Sequence, residues 1–578
     1  AQPIDVGSFT YLPTDQPAMS NLSPDKDNQE LAANRTARYA MFEKMRGRII
    51  RHINFDNRDV FGAPVDMQQS MQSPWYGRIG NFIHYKTQAW VVNQKLLFTK
   101  GDIVDPYILR ESERLLRASG LFVDARVIAL PLADNNNEVD VQIVTQDRWS
   151  LVVPLSYKPE TGTGFVGLKE ENFLGLGHEM EARIDYDEDP AIGTGITFNH
   201  KAANLFGTYV NSGANYVSKE NSKNIGVKLD RKFFSAATRW AGGVDLGWID
   251  DEDRIFLGDS LRSRIPFRRQ EQSVWVGRAL GFKFGSLGLR EKTRFVVAAS
   301  FSRVNHSTRP HVTADSFQIY GNSNLVLAAA GLTYRDYYQD NYLNGFGATE
   351  DIPIGGFLKF IVGFEDREFN QRYYSGVEAA FAVQFSKRGY LGVDFAVGSF
   401  RKDKEWEQTI YRLAAQYHSP LFERSKWKFR FLAKNELILG LNRFEGEEII
   451  LNDDSGIRGF DKDLLRGTRR LVLNLDANIF SPYNVLGFVI GGNLFGDFGL
   501  IGEDQRGLRK STVYQTYGVG LRIRNESLAR STIQVALIYS PNDPDHDKGS
   551  FGVLLSSNIL FGFRDFSISR PDIITFDK

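Results

Sequence analysis

The sequence predicts a transmembrane antiparallel β-barrel that follows a small α/β domain. Segments of strict apolar–polar alternation recur from residue 149 to residue 563, with no helical stretch between them. Several are longer than the five or six residues typical of strands in soluble sheets. The chain is also rich in phenylalanine and glycine, with 43 Phe and 53 Gly, as expected for long strands joined by tight turns. Together these observations favour a barrel.

The segment Lys426–Asn442 shows the alternation most clearly. Its apolar face consists of Trp427, Phe429, Phe431, Ala433, Leu437, Leu439 and Leu441. Its other face is charged, which is the period-two pattern of a strand with one apolar side. A soluble β-sandwich alternates in the same way. The prediction therefore also depends on strand length and on aromatic clusters at 480–483 and 560–563, near predicted strand ends, where a membrane barrel has its aromatic girdles.

The predicted barrel covers residues 149–563. Its alternating segments number about fifteen before Asp453 and about five after it, and bacterial barrels are even-numbered. We therefore expect 16 to 20 strands. The barrel must close, because lipid offers no hydrogen-bond partner to an open edge.

Composition excludes several classes of site. Lys+Arg and Asp+Glu both number 70, so there is no basic excess for binding nucleic acid. The chain has no Cys, which removes thiolate metal sites, cysteine nucleophiles and disulfides. No apolar run is long enough for a transmembrane helix. Since no catalytic motif is present either, we expect no enzymatic activity, no cofactor and no metal.

Residues 46–148 predict a separate α/β domain with the element order β-α-α-β-β. The predicted elements are a strand at 47–61, a helix at 80–98, a helix from Asp105 to Gly120, and strands at 121–130 and 138–149. Asp105 is a good N-cap and Pro106 suits the first helical position. Gly120 is a natural residue to end that helix.

Both ends of the chain differ from the rest. Residues 1–45 are polar and contain Pro, which predicts a flexible segment with helical character near its end. The chain begins AQPIDVGSF without Met, and we interpret this as a mature form whose secretion signal has been removed. The C-terminal extension 564–578 is too apolar for a free end. We expect it to leave the barrel on the side of the α/β domain or to turn into the lumen, and to dock on the barrel base or on that domain.

Two features resemble the BamA/TamA superfamily of outer-membrane assembly and translocation barrels. The β-α-α-β-β order resembles a POTRA domain, the periplasmic module of such barrels. The segment GIRGF at 456–460 resembles the superfamily's [VI]-R-G-[FY] loop signature. The strand that follows carries Asp476 where the family usually has Glu, and NLFGDFG at 493–499 is similar to its F-x-D-x-G motif. The resemblance covers 46–563 and is motif-specific over its last part.

The resemblance implies that the loop folds back into the barrel lumen as a latch. The implied loop residues are Ile457, Arg458, Gly459 and Phe460, and the implied partners on the wall are Asp476, Phe495, Asp497 and Gly499. Alternation independently places Asp476 and Asp497 on inward faces. Arg458 would then meet two carboxylates, which suit the guanidinium fork. We also expect Gly459 to allow a tight turn and Phe460 to pack against Phe495.

The implied function is insertion or translocation of polypeptides at a bacterial outer membrane, with the POTRA domain in the periplasm. The implied partners are unfolded outer-membrane polypeptides, membrane lipids and accessory lipoproteins. Client strands would pair at the POTRA edge and at the barrel seam, where an unpaired edge is a template. The alternatives are a substrate-specific export pore and a structural barrel that scaffolds lipoproteins, with the POTRA domain as a rigid spacer. The family implies 16 strands and often several POTRA domains, where this chain has room for one.

Two weaker motifs predict loops. GTGFVG at 162–167 matches G-x-G-x-x-G but lies in no βαβ unit, so it predicts a hairpin turn. The segment DPDHDKG alternates Asp543, Asp545 and Asp547 as a calcium loop does, but Lys548 stands where the EF-hand needs Gly. We interpret it as a solvated loop, with a calcium site as the alternative.

Overall fold

A computed structural model describes most of the chain. The described residues are 36–63, 65, 75–133, 136–158, 163–188, 193–257, 260–281, 292–385, 388–452, 455–459, 465–485, 487–502, 507–525, 527–528, 532–543, 549–556 and 561–576. The predicted calcium loop lies largely outside these residues, and so does Phe460. In the described part, no helix is both long enough and apolar enough to cross a membrane, and no three potential metal-ligating side chains cluster.

Where β-α-α-β-β was predicted, the N-terminal domain has one strand, three helices and two strands, with a further helix in front. Its elements are α1 at 36–44, β1 Ile49–Arg58, α2 Trp75–Ile83, α3 Ala89–Gln94, α4 Pro106–Ala118, β2 Phe122–Pro131 and β3 Glu138–Asp147. The sheet order is β1–β3–β2, with β1 parallel and β2 antiparallel to β3. Asp105 caps α4 by accepting the Tyr107 N–H at 2.9 Å, and Gly120 ends it at a φ of 77°.

Two predictions for this domain are wrong. The single helix expected at 80–98 is two helices, because backbone N–H groups between them bond outside the helix. The Thr87 N–H donates to Asp147 at 2.7 Å, and the Gln88 N–H donates to the Gly175 carbonyl at 3.0 Å. The helical character expected near the end of segment 1–45 is present as α1, but the boundary of the domain lies elsewhere. Phe42 of α1 is fully buried in the domain core, so the domain begins before residue 46.

The rest of the chain is a large antiparallel sheet that forms a barrel. Its strands are β4 Leu151–Val152, β5 Leu155–Lys158, β6 Thr163–Glu170, β7 His178–Asp187, β8 Gly195–Leu205, β9 Val210–Ser218, β10 Lys223–Arg231, β11 Trp240–Leu257, β12 Ser260–Gly281, β13 Thr293–Thr308, β14 Ser323–Asp340, β15 Glu350–Arg367, β16 Gln371–Phe385, β17 Gly389–Lys402, β18 Glu405–His418, β19 Phe422–Arg424, β20 Trp427–Leu441, β23 Arg469–Val485, β24 Phe488–Gly502, β25 Tyr514–Arg524, β26 Ile533–Ser540 and β27 Ser550–Ser556. A separate pair, β21 Ile449–Ile450 and β22 Arg466–Gly467, lies in the loop after β20.

These strands fill twenty positions in the described barrel. β4 and β5 share the first position because both pair with β6, and β19 prolongs β18 because both pair with β20. Twenty is the upper end of the range predicted from alternation. The number of sixteen that the family resemblance implies is wrong for this chain.

The seam lies between the last strand and the first. The strand order is a ring that places β27 beside β4. One backbone hydrogen bond lies nearby, from Trp149 N–H to the Ser527 carbonyl at 2.8 Å. We call the barrel end that adjoins the α/β domain the near end and the opposite end the far end.

The barrel wall is apolar outside and charged inside. On β20, the outward side chains Trp427 and Phe431 are 39% and 51% exposed, whereas the inward Arg430 and Glu436 are 2% and 1% exposed. The inward charges are paired with charges on other elements: Arg430 with Asp340 at 3.1 Å, and Glu436 with Arg470 at 2.7 Å. This arrangement is the reverse of a soluble protein, where charges lie outside and apolar side chains inside.

The aromatic girdle predicted from 480–483 and 560–563 is mostly wrong. Phe480 is buried and packs on Tyr342 and Phe346, with ring centroids 5.1 Å away in both cases. Phe561 is buried as well, and the last described strand ends at Ser556. Phe480 and Phe561 therefore face inward, whereas Tyr483 is exposed beside Trp427, with ring centroids 6.0 Å apart.

Candidate functional site

The Arg458 loop lies inside the barrel. It belongs to the far-end connection between β20 and β23, and its side chains reach the inward faces of β23 and β24. These two strands pair with Asp476 opposite Phe495 and with Asn474 opposite Asp497. Because the side chains of a strand alternate between its faces, this register brings both carboxylates to one patch of the inner wall.

Arg458 binds both carboxylates in a forked geometry. Its Nη1 and Nη2 donate to Asp476 at 3.1 and 2.9 Å, and its Nε and Nη2 donate to Asp497 at 2.8 Å each. The Arg458 backbone N–H also donates to Asp497 at 3.0 Å. The guanidinium lies 3.7 Å from the ring centroid of Phe495, a cation–π distance. The structure thus brings Arg458, Asp476, Asp497 and Phe495 together.

Two asparagines that sequence reasoning missed support these carboxylates. Asn474 donates to Asp497 at 2.9 Å and to the Gly456 carbonyl at 3.0 Å, so it joins the wall to the loop directly. Asn493 donates to Asp476 at 3.0 Å. The sequence did contain a signal for Asn474, because alternation places it in the same inward row as Asp476. These amides hold the carboxylates in the orientation that the Arg458 fork needs.

The other loop residues fit closely against the wall. A Cβ on Gly499 would come within 2.8 Å of Leu451 and 3.0 Å of Ile457, so the wall glycine leaves room for the loop. Gly459 has a φ of 85°, a conformation that favours glycine. Phe460, predicted to pack against Phe495, lies outside the described residues. Arg458 occupies one face of the Phe495 ring.

The loop has a second polar anchor. Ser455 donates to Glu436 at 3.0 Å, and Arg470 donates to Glu436 at 2.7 Å and to Ser455 at 2.6 Å. Arg470 and Glu436 are almost fully buried. Neither residue was a sequence candidate, since each is one of many charges on an alternating strand. The loop is therefore held at two points on the inner wall.

The C-terminal segment, residues 561–576, runs through the lumen from the near end to the far end. At the near end the Phe563 ring lies 4.9 Å from His418 and 5.5 Å from Tyr390. At the far end the Phe576 ring lies 4.5 Å from the Arg443 guanidinium. Between these ends its apolar side chains join successive clusters of the inner wall. The predicted docking on the barrel base or on the α/β domain is wrong, and the lumen, also considered, is correct.

Ion pairs fix the tail where it enters. Arg564 binds Asp394 at 2.7 Å and Glu378 at 3.1 Å, and Asp565 binds Arg335 at 3.1 Å. These partners lie on three different strands, β14, β16 and β17, so the tail crosses the wall obliquely. Farther along, the polar contacts are the hydroxyl of Thr333 to the Phe566 carbonyl, the hydroxyl of Ser300 to the Pro571 carbonyl at 2.9 Å, and the Ile574 N–H to the Tyr374 hydroxyl at 2.8 Å.

Glycines in the wall make room for the apolar side chains of the tail. A Cβ on Gly331 would lie 2.8 Å from Ile568, and one on Gly440 would lie 2.5 Å from the Phe576 ring. Such distances are closer than van der Waals contact. The tail therefore lies in a groove whose shape matches it.

The α/β domain covers part of the near end. Arg117 of α4 binds Asp351 at the start of β15 through two bonds of 2.8 and 2.9 Å. Arg117 also donates to Glu113 at 2.7 Å, and the Glu113 carboxylate accepts the Val127 N–H from the outer edge of β2 at 2.9 Å. Burial, the largest single influence on Glu113, opposes its ionisation, but Arg117, Arg38 and Arg126 together lower its pKa below the ordinary value.

No protein-family model matches the chain, and no curated protein is similar to it in sequence. Solved structures are similar at low identity. BamA of Haemophilus ducreyi lacking POTRA domains 1–3 is 9% identical, with a TM-score of 0.37 over 88% of this chain and 84% of that one. CdiB of Escherichia coli is 12% identical, with a TM-score of 0.43 over 96% and 91%. CdiB of Acinetobacter baumannii is 11% identical, with a TM-score of 0.42 over 88% and 73%.

Proposed function

We propose that this chain is an outer-membrane barrel of the BamA/TamA type that inserts or translocates polypeptides, with its α/β domain acting as a periplasmic POTRA domain. The observation that carries the proposal is the Arg458 loop. The loop matches the family signature, and its arginine binds two inward carboxylates of neighbouring strands. No covalent chemistry is involved, so no cofactor is needed.

The distribution of polar and apolar surface supports a membrane location. Outward rows of large apolar side chains are exposed along strand after strand, whereas inward charges are buried and paired. Exposed apolar surface on this scale needs a partner. A lipid bilayer covers such a surface around a whole barrel.

The proposed mechanism uses strand pairing at the seam. The seam lies between β27 and β4 in the strand order, and an edge that opens there is a template for another strand. The Arg458 loop binds β23 and β24, four and three positions before β27 in the strand order. In this mechanism the loop keeps that part of the wall rigid while the seam opens to a client.

The edges of the domain sheet are not equivalent for strand addition. β3 is the central strand, so Val141 is not at an edge. Val127 lies on the edge strand β2, but its N–H is already bound by Glu113. We therefore propose that clients pair with the outer edge of β1 around Asn54 and Phe55, both of which are exposed.

Depletion of the protein from its native host tests the function. Quantitative proteomics of the outer membrane should show a loss of other barrel proteins. Normal levels of all of them would contradict a general assembly role. Loss of one secreted polypeptide alone would favour the substrate-specific pore, and co-purified lipoproteins without any effect on clients would favour the scaffold.

A further inference from the structure

Helix α2 has its apolar side facing outward. Trp75, Ile79, Phe82 and Ile83 are 69%, 54%, 90% and 56% exposed. Their spacing puts them on one face of the helix. A short helix in a small domain normally buries such a face, so this one needs a partner.

The opposite face of α2 is built for close packing on the domain. A Cβ on Gly80 would lie 2.5 Å from the Phe61 ring, and Asn81 accepts the Phe61 N–H at 3.1 Å. Turning the apolar face inward would put bulky side chains where only glycine fits. The outward orientation is therefore a property of the fold.

The end of α2 is attached to the rim of the barrel. Beyond the helix, Gln88 donates to the Gly175 carbonyl at 3.0 Å and Thr87 accepts from Asn172 at 2.8 Å. Both wall residues lie in the near-end turn between β6 and β7. The His84 ring lies 6.3 Å from the ring of Trp149, directly before the first strand. A nine-residue helix is about 14 Å long, so all of α2 lies close to this rim.

Exposed apolar side chains also cover the barrel wall and the turn beside this rim. Val166, Leu168 and Ile184 are exposed on the outward rows of β6 and β7, and Leu174 is exposed in the turn between these strands. Beyond α2, Tyr85 and Trp90 are exposed too. Tryptophan and tyrosine favour the boundary between lipid and water. Arg78, which is exposed, supplies a cation that can reach lipid phosphates.

We infer that α2 is an interfacial helix whose Trp75, Ile79, Phe82 and Ile83 insert into the periplasmic leaflet beside the first strands of the barrel. Its partner is phospholipid. The inference depends on the proposed membrane location of the barrel. The helix would hold the α/β domain against the membrane next to the seam.

Lipid quenching of single labels tests this inference, since the chain has no cysteine of its own. The full chain carrying Ile79→Cys is labelled with a small fluorophore and reconstituted in phosphatidylethanolamine–phosphatidylglycerol vesicles that contain nitroxide lipids. Two controls are labelled in the same way. Val535→Cys lies on an exposed outward row of the barrel. Leu130→Cys is exposed in the same domain as α2. Leu130 pairs with Asp140, which precedes Asp147 on β3 by seven residues. This control label therefore lies about 23 Å from the rim.

The inference predicts that shallow nitroxides quench Ile79→Cys, deep ones quench Val535→Cys, and neither quenches Leu130→Cys. Quenching at Val535→Cys with none at Ile79→Cys overturns the interfacial helix and leaves the membrane barrel intact. Equal quenching of Ile79→Cys and Leu130→Cys also overturns it. If lipid does not quench the label at Ile79→Cys and only an added unfolded polypeptide protects it from solvent, the partner of this face is protein. That result would overturn the lipid assignment. No quenching at Val535→Cys contradicts the proposed function itself.

Discussion

The lumen holds two segments that are bound in different ways. The Arg458 loop is held by charge, through one guanidinium between two carboxylates and a second cluster around Glu436. The C-terminal tail has ion pairs where it enters, but beyond them it depends on burial of Phe566, Ile568, Ile574 and Phe576. Forked ion pairs require particular residues at particular positions, whereas apolar burial requires only matching shape and volume.

The two segments also meet. Ile449 belongs to the cluster that holds Phe576 at the far end, and Leu451 and Ile457 of the loop pack in a neighbouring cluster. Ile501 of β24 contacts both clusters. Loss of one segment should therefore loosen the other, and their separate contributions can be measured by removing them one at a time.

Truncation of the tail should have the largest effect. Ending the chain at Phe563 removes four buried side chains, each of which contributes about 1.5–3 kcal/mol when fully buried. We expect a folded barrel with a lower unfolding temperature in detergent and with large, steady conductance in planar bilayers. The control ends the chain at Phe576 and should behave as the full-length protein does. Unchanged conductance after the longer truncation would show that the tail does not close the lumen.

Arg458→Ala should have the next largest effect. It leaves Asp476 and Asp497 without their cation, which for a buried pair costs about 3–5 kcal/mol, an upper bound here because lumenal water can reach the site. Arg458→Lys keeps the charge without the fork and should lie between alanine and wild type. The unfolding temperature and client insertion are the two readouts. Equal stability for all three proteins would refute the role of the loop as a latch.

Gly440→Val tests the groove for the tail. Its side chain would overlap the Phe576 ring, and overpacking of this kind costs about 1–3 kcal/mol. We expect release of the tail end, seen as faster protease cleavage after residue 570. The matched control is Gly281→Val, where a Cβ would meet nothing within 4 Å. Identical cleavage rates for the two variants would mean that the groove does not select the tail.

Val127→Pro should have a smaller effect, confined to the α/β domain. It removes the N–H that Glu113 accepts, and a buried acceptor left without its donor costs about 1–3 kcal/mol. Photo-crosslinking of clients to a probe at Phe55 should persist. If the variant abolishes crosslinking without unfolding the domain, clients pair with β2 and the assignment to β1 is incorrect.

The smallest effect concerns pH. Since the folded pKa of Glu113 lies below its ordinary value of 4.5, its contribution to stability is complete above that value and is lost as the pH falls through the folded pKa. Glu113→Gln should remove this part of the acid sensitivity. The measurement is the free energy of unfolding against pH for wild type and variant. If the two curves stay parallel down to acid pH, Glu113 does not cause the acid sensitivity.

The comparison also explains which features could be predicted from the sequence. Strand alternation was sufficient for the barrel and for a count of up to twenty strands, because a strand with two different faces must repeat every two residues. Asp476 and Asp497 could be assigned inward by the same rule. The partners of Arg458 could therefore be predicted from the GIRGF motif together with the two-residue alternation of the strands.

The course of the tail could not be predicted in the same way. Phe566 and Ile568 indicate burial but do not indicate against which surface, and Gly331 and Gly440 look like any other strand glycines until the tail is seen to fill the space beside them. The break between α2 and α3 was missed for a related reason. It is caused by contacts with Asp147 and Gly175, which are distant in sequence.

Reconstitution with a client tests the central claim most directly. The full chain in lipid vesicles is mixed with a urea-unfolded outer-membrane barrel polypeptide, and the protected, folded client is measured against vesicles that contain Arg458→Ala or no protein. The account predicts faster client insertion with the full chain, and a rate near that of empty vesicles with Arg458→Ala. Equal insertion rates in all three preparations would contradict it.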